Sequence, residues 1–412
     1  MNWSMVKLGE VLTFIRGITF KPEEKIDASH PDAVICMRTK NIQDELDESD
    51  LIAVPKALVK REELFLKHGD ILISSANSWN LVGKVVQVPK LDYQSTAGGF
   101  ISILRPVLDK VLPDYLYLFI NSEQVQHDIR LLGKQTTNIS NLDRKRFLEL
   151  EIPLPPVSIQ KRIAEILMQC GDLRKQSIQI SSELNALAQA VYESNVGISA
   201  KEHSNWSSYT ISDLCDTSKS SMRTGPFGSD LKHSEFVSSG VAVIGIDNAV
   251  SNEFRWVERR FITKQKYEKL KRYTVHPHDV IITIMGTTGR VAVIPADIPL
   301  AISTKHLAVL TLDKNKANPH FIADTLKWNS HVIEQIKRSN KGAIMDGLNL
   351  GTIKSLAVVL PPKEIQDEYV LKAKAIQDRI AETKELSLTL ELQFNALMQR
   401  AFSGKLDLKK VA

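Results

Sequence analysis

The chain is written twice. Sliding the sequence along itself by 206 residues superposes Gly83 to Pro89 (GKVVQVP) on Gly289 to Pro295 (GRVAVIP). The same shift lays FISILRP, from Phe100, on HLAVLTL, from His306, and LPPVSIQ (Leu154 to Gln160) on LPPKEIQ (Leu360 to Gln366). Leu142, Phe147, Leu150 and Ile152 fall on Leu348, Ile353, Leu356 and Val358. Trp3 and Trp206 open the two copies at a shift of 203, so small insertions separate the matched blocks. Apolar strands resemble one another by chance, but identities such as LPP-x-x-IQ do not recur that way. A period this long is no solenoid unit. It is a whole domain with an appendage, and it predicts a pseudo-two-fold molecule.

Composition narrows the class. A chain of 412 residues, 43% hydrophobic and 25% charged, reads as a water-soluble protein of two or three domains. It contains no apolar run of the length that spans a bilayer, roughly 18 residues. The opening MNWSMVKLGEVLTF carries Lys7 and Glu10 and lacks a small-residue cleavage site, unlike a signal peptide. Cys36, Cys170 and Cys215 form no CxxC, which speaks against a disulfide framework or a zinc site and for the cytoplasm. The net charge of +5 points mildly toward a nucleic-acid partner and decides nothing alone.

After each LPP the pattern turns helical, with prolines placed where a helix start tolerates them. In the first copy Ile159, Ile163, Ile166, Cys170, Leu173, Ser177, Ile180, Leu184, Leu187 and Val191 follow a 4,3 spacing, and nine of these ten are apolar. In the second, Tyr369, Ala373, Ile376, Ile380, Thr383, Ser387, Leu390, Phe394, Leu397 and Ala401 do the same. One such stripe ordinarily packs on its own domain. Two of matched length at equivalent places predict helices packed on each other, as an antiparallel coiled coil. From Ile159 to Val191 such a helix rises roughly 48 Å, against about 34 Å for a turn of B-DNA. The spacing therefore suggests a ruler, and four residues added to it should lengthen it by about 6 Å.

Between the helices lie short Val/Ile-rich runs, such as GDILIS (Gly69 to Ser74) and VIITIM (Val280 to Met285), mixed with helical segments. The fold class is therefore α/β (α+β), two duplicated mixed domains joined by two long helices. The copies differ most in polar loops. The first has RTKN (Arg38 to Asn41), SSANSWN (Ser74 to Asn80) and TAGG (Thr96 to Gly99). The second has IDN (Ile246 to Asn248), GTTGR (Gly286 to Arg290) and STKH (Ser303 to His306), and adds MRTGPFGSDLK (Met222 to Lys232) without a close equivalent. Any one of these residues is adequately explained as a turn former. As a set, unlike polar tips on like scaffolds match two domains reading two different short sequences.

Catalytic motifs are missing. The Pro-Pro sites, LPPV and LPPK, lack the flanking residues with which an adenine methyltransferase grips its base. No GxGxxG follows a strand and no GxxxxGK[ST] is present. His276 and His278 flank a proline without nearby cysteine or clustered carboxylates, so a loop explains them better than a metal.

The chain resembles specificity subunits of Type I restriction–modification systems over nearly its full length. The resemblance rests on the domain-opening tryptophans, GDILIS and its counterpart HDVIIT, the two LPP-x-x-IQ motifs, and the closing FNALMQRAFSGKL (Phe394 to Leu406), echoed by LNALAQAVYESNVG. It implies target-recognition domains at 1–153 and 201–359, a central helix at 154–200 and a distal helix at 360–412. Each domain is expected to read one half of a gapped duplex DNA target, and the helices to set the gap and dock two methyltransferase subunits. Two ATP-dependent restriction subunits are possible further partners. S-adenosylmethionine, ATP and Mg are expected on the partners only, with no catalytic, cofactor or metal site here. Candidate DNA contacts are Arg38, Lys40, Asn41, Ser75, Asn77, Asn80 and Lys84 in the first domain. In the second they are Arg223, Lys232, Asn248, Thr287, Thr288, Arg290, Lys305 and His306. The competing readings are a freestanding methyltransferase or nuclease, which needs a motif not found, and a coiled-coil scaffold without DNA specificity, which leaves the divergent loops unexplained.

Overall fold

The computed structural model describes residues 3–135, 140–201, 203–218, 220–339 and 348–406. The chain divides into two compact units, Met1–Ile178 with Glu385–Ala412, and Gln179–Lys384. Both boundaries fall inside long helices, Val157–Asn195 and Lys363–Phe402.

In the first unit, Leu12–Arg16, Ile101–Pro106, Ile71–Ser74 and Val85–Gln87 pair in that order as an antiparallel sheet. A second sheet sets Ala33–Met37 between Ala53–Pro55 and Ser95–Ala97, parallel to the latter. Alternation along GDILIS explains why the run is apolar throughout: Ile71 and Ile73 join the core under the helix Pro113–Ile120, whereas Leu72 joins the core between the two sheets. The layers are helix, sheet, sheet.

The second unit repeats this frame. Met222–Thr224, Leu307–Leu310, Val280–Thr283 and Val291–Val293 form the antiparallel sheet. Arg260–Ile262, Val241–Ile244, Ala301–Ser303 and Thr274–Val275 form the other, with Val241–Ile244 parallel to Ala301–Ser303. Met222–Thr224 occupies the place of Leu12–Arg16, so the segment expected to lack an equivalent begins with one. In each unit a two-stranded ribbon joins the domain's start to the residues before its long helix: Ser4–Lys7 with Glu151–Leu154, and Ser207–Thr210 with Ala357–Leu360.

The glutamine of LPP-x-x-IQ fixes that helix to its domain. Gln160 is fully buried; its Oε1 accepts from Leu112 N at 2.9 Å, and its Nε2 donates to Lys110 O and Pro155 O at 3.0 and 2.9 Å. Gln366 repeats every bond, accepting from Asn318 N at 2.9 Å and donating to Lys316 O and Pro361 O at 3.1 and 2.8 Å.

Each unit also receives the end of the other copy's helix. Phe402 packs on Tyr115 and Phe119, with ring centroids at 5.4 and 5.3 Å. Its equivalent Tyr192 packs on Trp328 and Tyr369 in the second unit, at 5.8 and 5.7 Å. Within the first unit the two helices run antiparallel, Ser177 meeting Ser387 (Oγ–Oγ 2.6 Å) and Arg174 Nη1 meeting Glu391 Oε2 at 2.9 Å. Within the second, Lys372 Nζ donates to Asn195 Oδ1 at 2.9 Å.

The expected seam is right for the distal helix and right at seven of ten positions for the central one. Ile159, Ile163, Ile166, Cys170, Ser177, Leu184 and Val191 are buried or partly buried, but Leu173, Ile180 and Leu187 are 52%, 48% and 47% exposed. Their places are taken one residue later by Arg174, Ser181 and Ala188. The cause is visible at Arg174, whose guanidinium lies 4.8 Å from the centre of the Phe394 ring while pairing with Glu391. The bulky partner favours a long, flat, amphipathic neighbour over leucine.

Candidate nucleic-acid interface

Strand direction gathers the polar loops. In the first unit the parallel strands Ala33–Met37 and Ser95–Ala97 end side by side, with Gly98 N donating to Met37 O at 2.9 Å. Ile71–Ser74 ends at the same level, since Ser74 pairs with Ile101 and Ser75 N donates to Phe100 O at 2.8 Å. The segments 38–41, 75–80 and 98–100 therefore share one end of the domain. Lys84 Nζ, donating to Gln43 Oε1 at 2.7 Å, ties the hairpin tip to the loop after Ala33–Met37.

The second unit does likewise. Thr304 N donates to Ile244 O and Ile284 N to His306 O, both at 2.9 Å, bringing together the segments after Ile244, Thr283 and Ser303. Gly225 belongs to the same cluster, and only glycine fits there: a Cβ would collide with the Ser303 and Thr304 backbone. The long helices start at the opposite end. There an open cavity of about 1050 Å³, lined by Trp206, Tyr209, Lys316 and Lys363 among others, lies beside Met222, at the far end of its strand from Gly225.

Three candidates turn inward, and the expectation for them is corrected. Asn41 is fully buried; its Oδ1 accepts from Arg38 N at 2.8 Å and its Nδ2 donates to Asp47 O at 2.7 Å. Asn248 does the same with Gly245 N at 2.9 Å and Arg255 O at 2.7 Å. Both spend their amides on shaping a turn. Arg223, 9% exposed, donates to Asp279 Oδ2 at 2.6 Å and also to Thr274 O, Ser220 O and Thr311 Oγ1. The first unit satisfies the matching carboxylate from another strand, Arg105 gripping Asp70 at 2.8 and 2.6 Å. These carboxylates are the Asp of GDILIS and of HDVIIT, so Arg223 serves the fold.

The other candidates are at least partly exposed. Arg38 reaches Asp50 Oδ1 at 3.1 Å, and Lys40 pairs with the same carboxylate. Ser75 Oγ bonds Ser102 Oγ at 2.7 Å, and Asn77 Nδ2 donates to Ser74 Oγ at 3.2 Å. Asn80, Arg290 and Lys305 are exposed outright. Buried Thr283 shapes the Thr287–Thr288 turn, its Oγ1 donating to Thr287 O and accepting from Arg290 N. Partial burial and the Lys305 charge both depress the His306 pKa, favouring a neutral ring. Lys232 is exposed on the segment after Phe227, its backbone N–H donating to Glu235 Oε2 at 2.8 Å.

Sequence reasoning passed over the apolar members of these tips. Trp79, Phe100 and Phe227 are 37%, 66% and 51% exposed. Their signal was legible, since an aromatic set among Gly, Pro, Ser and Asn serves no strand or helix face. Asp247 pairs with Arg260 at the tip of the second unit; it lay within the polar IDN segment, whereas Arg260, on a strand, left no such signal. Among the described residues no three His, Cys, Asp or Glu are grouped to hold a metal ion, and no helix is long and apolar enough to cross a membrane.

The profile of the Type I restriction modification DNA specificity domain matches residues 1–186 and again 203–392. The chain is 26% identical over 428 residues to the StySPI specificity subunit of Salmonella potsdam, covering 98% of this chain and 89% of that one. It is 25% identical over 431 residues to the EcoKI specificity subunit of Escherichia coli K12, with the same coverage. Its fold resembles the S subunit of a Type I restriction-modification system from M. genitalium, with a TM-score of 0.60 at 16% identity, spanning 98% of this chain and 96% of that one.

Proposed function

This chain belongs to the Type I restriction–modification DNA specificity family, and from that premise we propose that it selects a two-part duplex DNA sequence for a partner that carries the chemistry. One observation carries the reading: two domains of one topology present, at the same end of each frame, polar tips of unlike sequence. Shared frames imply one task, and unlike tips imply different targets.

In the first half-site Arg38 and Asn80 suit guanine and adenine edges, and Asn77 a second adenine. Arg290 suits a guanine edge in the second, where Thr287, Thr288 and His306 add single bonds, as Ser75 does in the first. Lys40, Lys84, Lys232 and Lys305 hold phosphates, positioning each domain without reading sequence. Phe100 and Phe227 suit thymine methyl groups. The helices set the gap between half-sites and dock two methyltransferase subunits, for which exposed Leu173, Ile180 and Leu187 offer apolar contact. Restriction subunits join the same complex. S-adenosylmethionine, ATP and Mg sit on those partners, the complex works in the cytoplasm, and the chain itself is not an enzyme.

The test is to co-express the chain with its methyltransferase subunit and map N6-methyladenine across the host genome. Methylation of a two-part motif with a fixed gap, lost when the chain is omitted, is the expected result. Methylation indifferent to the chain contradicts the reading and restores the scaffold alternative.

A further inference from the structure

Among the described residues six buried side-chain polar atoms lack a hydrogen-bond partner. Four of the six lie together at the loop end of the second unit: Asp247 Oδ2, Arg260 Nε, Ser303 Oγ and Thr304 Oγ1. Folded proteins rarely leave such atoms unpaired, because water is given up and nothing replaces it. Their concentration at one spot marks a place whose polar groups the chain alone does not satisfy.

The local geometry says what kind of group fits. Arg260 opens an edge strand opposite Val243, one residue before that strand's end at Ile244. Its Nη2 donates to Asp247 Oδ1 in the turn that follows. The two meet across Gly245, where a Cβ would stand 2.7 Å from Arg260 Nη2 and 2.8 Å from Asp247 Oδ1. Asp247 thus braces one nitrogen of the guanidinium while the side chain keeps 23% of its surface exposed. A braced, planar fork with spare donors matches the paired acceptors of guanine, O6 and N7, in the major groove. Ser303, fully buried, and Thr304 lie at the end of the neighbouring parallel strand.

We propose that Arg260, positioned by Asp247, reads a guanine in the half-site of the second domain. The first unit carries an analogous device at a different position. Arg38 is braced by Asp50, through Oδ1 at 3.1 Å and the carbonyl oxygen at 2.9 Å, and its Nε is also unpaired. The turn that superposes Asn41 on Asn248 places Arg38 on Gly245, so the two arginines come from different elements. Like frames thus hold their reading arginines at unlike places, and the two domains read unlike sequences.

The inference rests on the reading of the chain as a DNA specificity subunit, and its test separates the two. Full-length wild type, R260A, R260K and D247N are each co-expressed with the methyltransferase subunit, and the methylated motif and its tolerance at every base pair are mapped. R260A should relax one G·C pair in one half-site, preference there falling roughly 10- to 100-fold, with the other half-site and the gap unchanged. D247N should relax the same pair less. R260K keeps the charge but not the fork, and it must broaden that same position even where R260A fails to fold. A uniform loss on all sequences, an unchanged motif, or loosening of both half-sites overturns the role of Arg260 alone. A wild-type complex that methylates no two-part motif overturns both readings.

Discussion

At the scale of single residues, the most informative position is one whose motif was legible but whose task was not. The LPP-x-x-IQ repeat stood out as an identity, and its prolines as a helix start. That its glutamine is a clamp was hidden, because the three groups it binds lie about 50 residues away or around a turn. Replacing Gln160 or Gln366 by alanine strands one backbone N–H and two carbonyls in a dry interior, costing roughly 1–3 kcal/mol. Thermal unfolding should register this as a lower midpoint, by roughly 2–4 °C per kcal/mol for a unit of this size. An unchanged midpoint would show that the clamp is incidental. Arg223, Asn41 and Asn248 teach the converse. Arginine and asparagine on loops are the residue types that read bases, but they also satisfy buried carboxylates and hold turns. Only burial tells the two uses apart, and burial depends on strands distant in sequence.

At the scale of elements, periodicity revealed the long helices and connectivity their antiparallel direction, but neither settled every side of the first one. A 4,3 pattern identifies a stripe; it cannot tell whether position 173 or 174 faces the partner when both neighbours are long and partly apolar. Phe394 on the distal helix decides in favour of Arg174, and Leu173 is left exposed. The helix ends matter more for the gap. Because Tyr192 docks on the second domain and Phe402 on the first, lengthening one helix alone would pull an anchor out of its core. Four residues inserted at equivalent points of both helices keep the anchors seated and add about 6 Å, against 3.4 Å per base pair. The methylated motif should then gain one or two base pairs of gap while both half-sites stay as they were. A changed half-site would mean that the helices do more than space the domains.

At the scale of the whole molecule, duplication was the most legible feature because it is written in apolar spacing, which the frame needs at every strand. It predicted duplicated mixed domains and paired helices, and the second unit repeats the sheet that carries Met222–Thr224 strand for strand, while its other sheet has four strands against three in the first unit. What diverges is the set of exposed tip side chains, which packing constrains less than it does buried Asn41 and Asn248 or Gly225, and to which the proposed reading assigns function. The central claim is therefore modular: each domain reads its own half-site on a common frame. The most direct test exchanges residues 1–153 for the corresponding domain of a relative with a different target, and maps N6-methyladenine with the same methyltransferase subunit. The account predicts that one half of the motif is replaced while the other half and the gap persist. A motif altered in both halves, or altered in neither, would contradict it.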